Sequence, residues 1–360
     1  MYKLRSERIR THLHISTLVI VICLLILTTS LIFKSYQSYQ KANHTLLEIQ
    51  TLMVMSDLSQ AMLSERLPIN LVHHASAETQ AIYQAQLQQH RDRVDLEIQQ
   101  TIKILQASGF SEIAHQLKNE VTPHLENARA DFDRYIKMPP QQRTQQRLMQ
   151  DLQSLFNVWE KTHTLLKKKL VESRAYGMES TYHYAMLLLI CDLQDQTSRI
   201  TSFLKAPVTF SEKINEQQRI ATLKQLYQVE YLWKLIGNIE YMGAKDAAFQ
   251  KYYQALEIQL LQNNKQLIDT LLQQSSQAQP YSYTTQEMTM IAVQSSAAVL
   301  DLQNYVLKTR LAVVEARKQG AQRDFIVSCL ILFLCLGAVI FTFLYVRHQV
   351  FLPLVLARNT

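Results

Sequence analysis

Phe325-Ile-Val-Ser-Cys-Leu-Ile-Leu-Phe-Leu-Cys-Leu-Gly-Ala-Val-Ile-Phe-Thr-Phe-Leu-Tyr-Val346 contains no charged residue. A helix needs about 20 such residues to cross the roughly 30 Å hydrocarbon core of a bilayer, so the stretch predicts a transmembrane helix over residues 325–346. A second uncharged apolar run covers residues 15–33, and Lys3, Arg5, Arg8 and Arg10 precede it. Positive flanks stay in the cytoplasm, which places the N-terminus inside. A cleaved signal peptide also has a basic head and an apolar run. Its apolar core is only about 7–15 residues long, however, and a small-residue cleavage site follows it; this run is longer and no A-x-A follows.

Two spans put both termini in the cytoplasm. The expected layout is a cytoplasmic tail (1–14), a first transmembrane helix (15–33), a periplasmic region (34–324), a second transmembrane helix (325–346) and a short cytoplasmic segment (347–360). Arg310, Arg317, Lys318 and Arg323 lie just before the second span. Orientation therefore rests on the first helix.

Composition fixes the fold class of the middle. There are 6 glycines and 7 prolines in 360 residues, against averages of about 7% and 5%. The region is dense in Leu, Gln, Ala, Glu and Lys, and it lacks sustained alternation bounded by turn dipeptides. An all-α chain of long helices follows. Cys23, Cys329 and Cys335 fall in the spans, which leaves Cys191 alone in the middle region, so no disulfide can form within it. The formal charge of +7 is spread among glutamates and glutamines along the chain. That is the pattern of solvated helix faces, and no nucleic-acid partner is expected.

Breakers divide the region into eight helices. The first span should continue through Ile49, Leu52, Met55, Leu58 and Met62 to Arg66, where Pro68 removes an N–H and disfavours helix at Leu67. A second helix runs from an N-cap near Ser76 to Gly109. A third runs from Ser111 to Met138, bends near Pro123 and stops at Pro139-Pro140. The fourth carries Leu148, Leu152, Leu155, Trp159 and Leu166 on one seam and weakens at Gly177. The fifth covers about residues 180–204 and closes at Ala206-Pro207. The sixth starts near Ser211, presents Leu223, Leu226, Val229, Trp233 and Ile236, and fades at Gly237 or Gly243. The seventh is defined by Phe249, Tyr253, Leu256, Leu260, Leu267 and Leu271. Thr284 with Glu287 forms a capping box for the eighth, whose seam runs through Ala292, Ser295, Val299, Leu302, Val306, Thr309 and Val313 into the second span.

Eight helices suffice for two antiparallel four-helix bundles, about 34–177 and 178–324, or for one elongated bundle. A weak repeat fits the pair: Asp57-Leu58-Ser59-Gln60 stands 11 residues before Pro68, and Asp192-Leu193-Gln194-Asp195 stands 15 before Pro207.

Enzymatic constellations are thin. No phosphate loop, H-E-x-x-H, G-x-S-x-G or paired-cysteine motif occurs, so neither catalysis nor a cofactor or metal is expected. His73-His74 is a poor chelating pair, because adjacent helical residues point to different sides. Asp92, Asp95 and Glu97 beside His90, Arg91 and Arg93 read as ion pairing on a wet helix face. Ser64-Glu65-Arg66-Leu67-Pro68-Ile69-Asn70 is more informative. Arg66 and Asn70 could hold a small anion, or else Arg66 pairs with Glu65 or caps the helix end. On the fifth helix Asp192, Gln194, Asp195, Arg199 and Ser202 gather polar groups, with Asp195 and Arg199 at ion-pair spacing. The candidate ligand-binding residues are Arg66, Asn70, Gln194, Asp195 and Arg199.

The stretch around Glu65-Arg66-Leu67-Pro68-Ile69-Asn70 resembles the E-R-G-P-A-N segment of helical periplasmic sensor regions in proteobacterial membrane signalling proteins. Leu193-Gln194-Asp195-Gln196-Thr197-Ser198-Arg199 and the later Tyr231-Leu232-Trp233 are similar to their L-R-D-x-A-G-R and L-W segments. Leu67 stands where the family has glycine, and Thr197-Ser198 where it has Ala-Gly. In that family such regions precede diguanylate cyclase or histidine kinase modules, and the architecture is similar to the stacked bundles of TorS-type sensor kinases. Residues 346–356, with Pro353 and Leu354, resemble the start of a HAMP linker. The resemblance implies the sensory receptor portion of an inner-membrane signal-transduction protein without its cytoplasmic output domain. Its implied partners are the lipid bilayer, a second copy of the chain, and a periplasmic small ligand or binding protein. A non-enzymatic, membrane-anchored structural or interaction protein of the cell envelope is the alternative.

Overall fold

The computed structural model describes residues 2–74, 77–139, 142–173, 178–241, 246–346 and 348. Among them the chain is all-α and no strand occurs. Ten α-helices follow in order: α1 (Tyr2–His74), α2 (Ala77–Ala107), α3 (Ser111–Gln116), α4 (Thr122–Lys137), α5 (Gln145–Ser173), α6 (Met178–Phe210), α7 (Glu216–Tyr241), α8 (Ala247–Leu256), α9 (Asn263–Ser276) and α10 (Thr285–Val346). Single π-helical turns, Leu117–Val121 and Glu257–Gln262, join α3 to α4 and α8 to α9.

Several helix ends follow local chemistry. After α2 the chain turns at Gly109, whose φ is +86°. Gly109 N–H donates to Gln106 O at 3.2 Å and Phe110 N–H to Leu105 O at 2.8 Å, a Schellman closure that glycine enters without Cβ strain. α4 stops where Met138 turns extended before Pro139, and the Arg143 guanidinium takes up the released carbonyls of Ile136 and Met138 at 2.6 and 3.1 Å. The Thr284–Glu287 capping box forms in both directions, at 3.2 and 2.8 Å. Ser76, Gly177, Gly243 and, of the HAMP-like segment 347–360, all residues but His348 lie outside the described residues.

Two proline expectations are corrected. α1 passes through Pro68 to His74, and α6 passes through Pro207 to Phe210. A proline inside a helix costs about 3 kcal/mol. Burying an Ile or Val side chain returns about 1.5–3 kcal/mol each. Ile69 and Val72 beyond Pro68 are fully buried, and Ala206 and Val208 around Pro207 are buried too, so continued packing outweighs the lost backbone bond. The bend expected near Pro123 takes the form of the π turn just before it, where Thr122 N–H reaches back to Leu117 O.

Two further boundaries shift. α7 begins at Glu216 rather than Ser211, because Asn215 and Gln218 form a reciprocal cap at 2.8 and 3.0 Å. It also runs past Gly237. There a Cβ would collide with the Tyr253 ring, which stacks on Trp233 at 4.9 Å and donates its hydroxyl to Trp233 O at 3.0 Å.

The chain divides into two compact units, residues 1–46 with 312–360 and residues 47–311, and α1 and α10 contribute to both. In the first unit, α1 and α10 touch through Ser35 Oγ and Ser328 Oγ at 2.8 Å, and Tyr36 and Tyr39 pack on Phe325. Ile26, Leu27, Phe333, Leu334 and Phe341 point outward. Both helices are long and apolar enough to cross a membrane, and only 6% of each apolar window is buried, unlike the core helix of a soluble protein. Thr28 and Thr342 return their hydroxyls to the helix carbonyls four residues back, at 2.7 and 2.8 Å.

The second unit is built around α1. Met55, Leu58, Ala61, Met62, Ile69 and Val72 form one buried face against α2, α3, α4 and α5. Phe132, Tyr135 and Phe156 are the largest apolar side chains in that core. Where α1, α6 and α10 meet, Gln303 donates to Ser56, and Ser56 lies 3.9 Å from the Cys191 thiol.

Lys205, on α6, works against stability. It is 2% exposed, and burial alone pulls its ammonium pKa from 10.5 down to about 8. Between those values the unfolded chain keeps a proton that the folded chain has released, so stability should rise with pH across the window from about 8 to 10.5. Lys205→Met is expected to stabilise the protein at pH 7 by on the order of 3 kcal/mol and to flatten that rise. Denaturant titration of both proteins at several pH values checks it.

Candidate functional site

Among the described residues of the second unit, two groups of charged and polar side chains bear on the sequence candidates. The first surrounds Glu65, which shares the 3/4-spaced buried face of α1 with Leu58, Ala61, Met62, Ile69 and Val72. A carboxylate there must be paired. Arg129 of α4 grips it bidentately, Nε to Oε1 and Nη2 to Oε2, both at 2.8 Å, and Arg91 Nε of α2 lies 3.5 Å from Oε1. Arg129 also reaches Asp95 at 2.7 Å, and Arg91 forms a second bidentate pair with Asp133 at 3.0 and 2.8 Å. Burial by itself would loosen the Arg129 proton, but Glu65 and then Asp95 outweigh it and raise the pKa above the usual arginine value.

This network clamps α1, α2 and α4 together and uses both arginines on the protein's own carboxylates. The partners of Glu65 are thus Arg129 and Arg91, where local reading offered Arg66; Arg91 turns inward to this clamp, while Asp95 is exposed and pairs with Arg129 at its wet edge. Arg66 and Asn70 lie in α1, but their side chains are outside the described residues.

The second place is a crevice of about 440 Å³ between α5, α6 and α7. Helical spacing brings its walls together. Trp159, His163 and Lys167 stand four apart on α5, and Asp192, Asp195, Gln196 and Arg199 share one face of α6. α7 supplies Lys224 and Gln225. Of the sequence candidates, Asp195 and Arg199 are brought together here; Gln194 is buried and does not line the crevice.

Arg199 is held on three sides. Its Nε donates to Asp195 Oδ2 at 2.6 Å, Nη1 to Glu160 Oε1 at 3.3 Å, and the guanidinium lies 4.7 Å from the centre of the Phe156 ring. It acts as a pillar of the wall. His163 stacks on Trp159 at 5.4 Å, and its Nε2 lies 2.6 Å from Asp192 Oδ1 at an angle poor for a hydrogen bond, while Nδ1 has no partner. Gln196 Oε1 and Gln225 Oε1 are also buried without a hydrogen bond. These atoms are shut away from solvent, and the surface that the crevice presents is polar and charged, through Asp192, Lys167 and Lys224.

His163, Lys224 and Gln225 escaped sequence reading. His163 stands four residues after Trp159 on the same helical face, a usable signal; Lys224 and Gln225 look like ordinary surface residues until α7 packs on α6. Compared with protein-family models, characterised proteins and solved structures, the chain matches none.

The Glu65 clamp yields a graded expectation. Arg129→Met leaves a buried carboxylate facing only Arg91, and removing one partner of a buried pair costs about 3–5 kcal/mol. The double variant Glu65→Leu with Arg129→Met should recover most of that loss, because no buried charge is stranded. Urea unfolding of the three proteins in detergent decides the point; equal losses in the single and double variants would remove the clamp from the account.

Proposed function

We propose that this chain is the sensory portion of a bacterial inner-membrane signal-transduction protein. It crosses the membrane twice, keeps both termini in the cytoplasm, holds its helical region in the periplasm, and works as a homodimer without catalysis of its own. The observation that carries the reading is that α1 and α10 each supply an apolar segment and each also enter the packed interior of the 47–311 unit, where Gln303 donates to Ser56. A ligand favouring one arrangement of these helices over another would bias both membrane segments. Shifts of about 1–2 Å are sufficient in such devices. The crevice between α5, α6 and α7 is the proposed ligand site, and α6 connects it to the node through Cys191.

A second reading, a membrane-anchored interaction protein of the envelope, draws on the exposed Ile220, Tyr227 and Tyr231, which stand at positions i, i+7 and i+11 of α7.

The two readings differ in what the node does. With a cytoplasmic reporter kinase fused to the C-terminus, Gln303→Leu is expected to change kinase output severalfold at unchanged membrane insertion. The substitution removes a buried polar contact without unfolding the bundle. Output indifferent to Gln303→Leu and to Ser56→Ala, with both proteins folded, would favour the anchoring reading instead.

A further inference from the structure

Along α7 a row of side chains is left uncovered. Ile220, Lys224, Tyr227, Tyr231, Lys234 and Asn238 follow one another at spacings of 4, 3, 4, 3 and 4, and all of them are exposed. Ile220, Tyr227 and Tyr231 are 56, 69 and 66% exposed, while the opposite side of the helix is buried through Thr222, Leu226, Val229 and Ile236. Apolar residues exposed singly are ordinary, but a row at this spacing is the seam by which one helix packs on another. Tyrosine at its centre is a residue type on which binding energy concentrates.

The charges on the row decide what fits it. Lys224 and Lys234 stand ten residues apart, about 15 Å along the helix axis. Glu216, one turn before Ile220, is tied to Arg219 at 2.6 Å, and Glu230 is half-buried beside the row. A second copy of this chain fits badly. Laid parallel, each lysine meets its own counterpart; laid antiparallel with Tyr227 facing Tyr231, Lys224 meets Lys234. Like charges set against each other at an interface are unfavourable. A partner helix with carboxylates at the same separation and apolar residues between them answers both the lysines and the tyrosines.

We propose that the exposed face of α7 is a docking surface for an acidic amphipathic helix of a partner protein. Tyr227 and Tyr231 cover the apolar stripe of that helix, Ile220 extends the contact toward the start of α7, and Lys224 and Lys234 pair with carboxylates on either side of the tyrosines. The surface deepens the interaction reading above. Its binding is measured without any output, so a kinase response to Gln303→Leu would remove that reading and leave the surface standing.

The test is fluorescence anisotropy of stapled helical peptides titrated with the full chain in phosphatidylcholine nanodiscs. The peptides share one leucine stripe, flanked by two Glu, two Gln or two Lys residues placed ten positions apart. The Glu peptide is expected to bind saturably and the Lys peptide at least tenfold more weakly, a difference of about 1.4 kcal/mol, with the Gln peptide between them. Added salt should narrow the gap. Lys224→Glu with Lys234→Glu, both at exposed positions, should invert the order, and Tyr227→Ser with Tyr231→Ser should weaken all three peptides. The proposal is overturned if no peptide binds saturably, if the Glu and Lys peptides bind alike, or if the folded charge-reversed chain keeps the wild-type order. It is also overturned if the tyrosine variant turns a dimer of the chain into a monomer on sedimentation in detergent, because a second copy then covers the face. Displacement of the Glu peptide by phosphatidylglycerol vesicles would overturn it too, by making the face a lipid-binding one.

Discussion

Burial of one face of α1 is the constraint on which the rest of the 47–311 unit depends. From Met55 to Val72 that face is almost entirely apolar, and α2 to α5 gain stability by covering it. The same demand explains why α1 does not stop at Pro68. Packing of Ile69 and Val72 returns more than the interrupted backbone hydrogen bond removes. It also explains the charged clamp. Glu65 lies in the middle of the buried face, and only a cation arriving from another helix can make it tolerable there. Further along, Glu48 and Lys169 are buried together 3.6 Å apart, with the lysine over the Phe110 ring. Polar residues along α1 therefore fix which helices lie beside it, while the apolar ones fix how tightly.

The segments near the two ends obey a different rule. In hydrocarbon a chain must satisfy its backbone internally, and a helix does so without partners. That suits residues whose side chains point outward and are apolar, such as Leu27 and Phe333. The hydroxyls of Thr28 and Thr342 are tied back to their own helix, and those of Ser35 and Ser328 to each other. The tyrosines at 36 and 39 pack on Phe325 just beyond the first apolar run, where amphipathic rings would be favoured if the run spans a bilayer.

What could be read in the sequence was what depends on neighbours along the chain. Gly109, Pro139-Pro140 and the Thr284–Glu287 box act within one turn, and their spacing announces them. The two apolar runs were legible for the same reason. What escaped depends on distant contacts. Glu65 and Arg129 are 64 residues apart, so no helical spacing links them. Pro68 and Pro207 break isolated helices, and only the buried residues around them reverse that preference. The crevice needed three helices at once. Asp195 and Arg199 were visible as an i, i+4 pair, whereas Lys224 and Gln225 gain meaning only when α7 lies against α6.

The chain's own cysteines test the central claim, that α1 and α10 lie in a bilayer. Cys23, Cys329 and Cys335 belong to the apolar segments, and Cys23 is exposed on its helix surface. Cys191 is buried in the bundle, and burial pushes its thiol pKa up to about 12, so it stays silent. With a membrane-impermeant maleimide on intact membranes, the account predicts no labelling of the native chain, against ready labelling of a cysteine placed at the exposed Gln279 when that side is presented. Rapid labelling of Cys23 and Cys335 in intact membranes would contradict it.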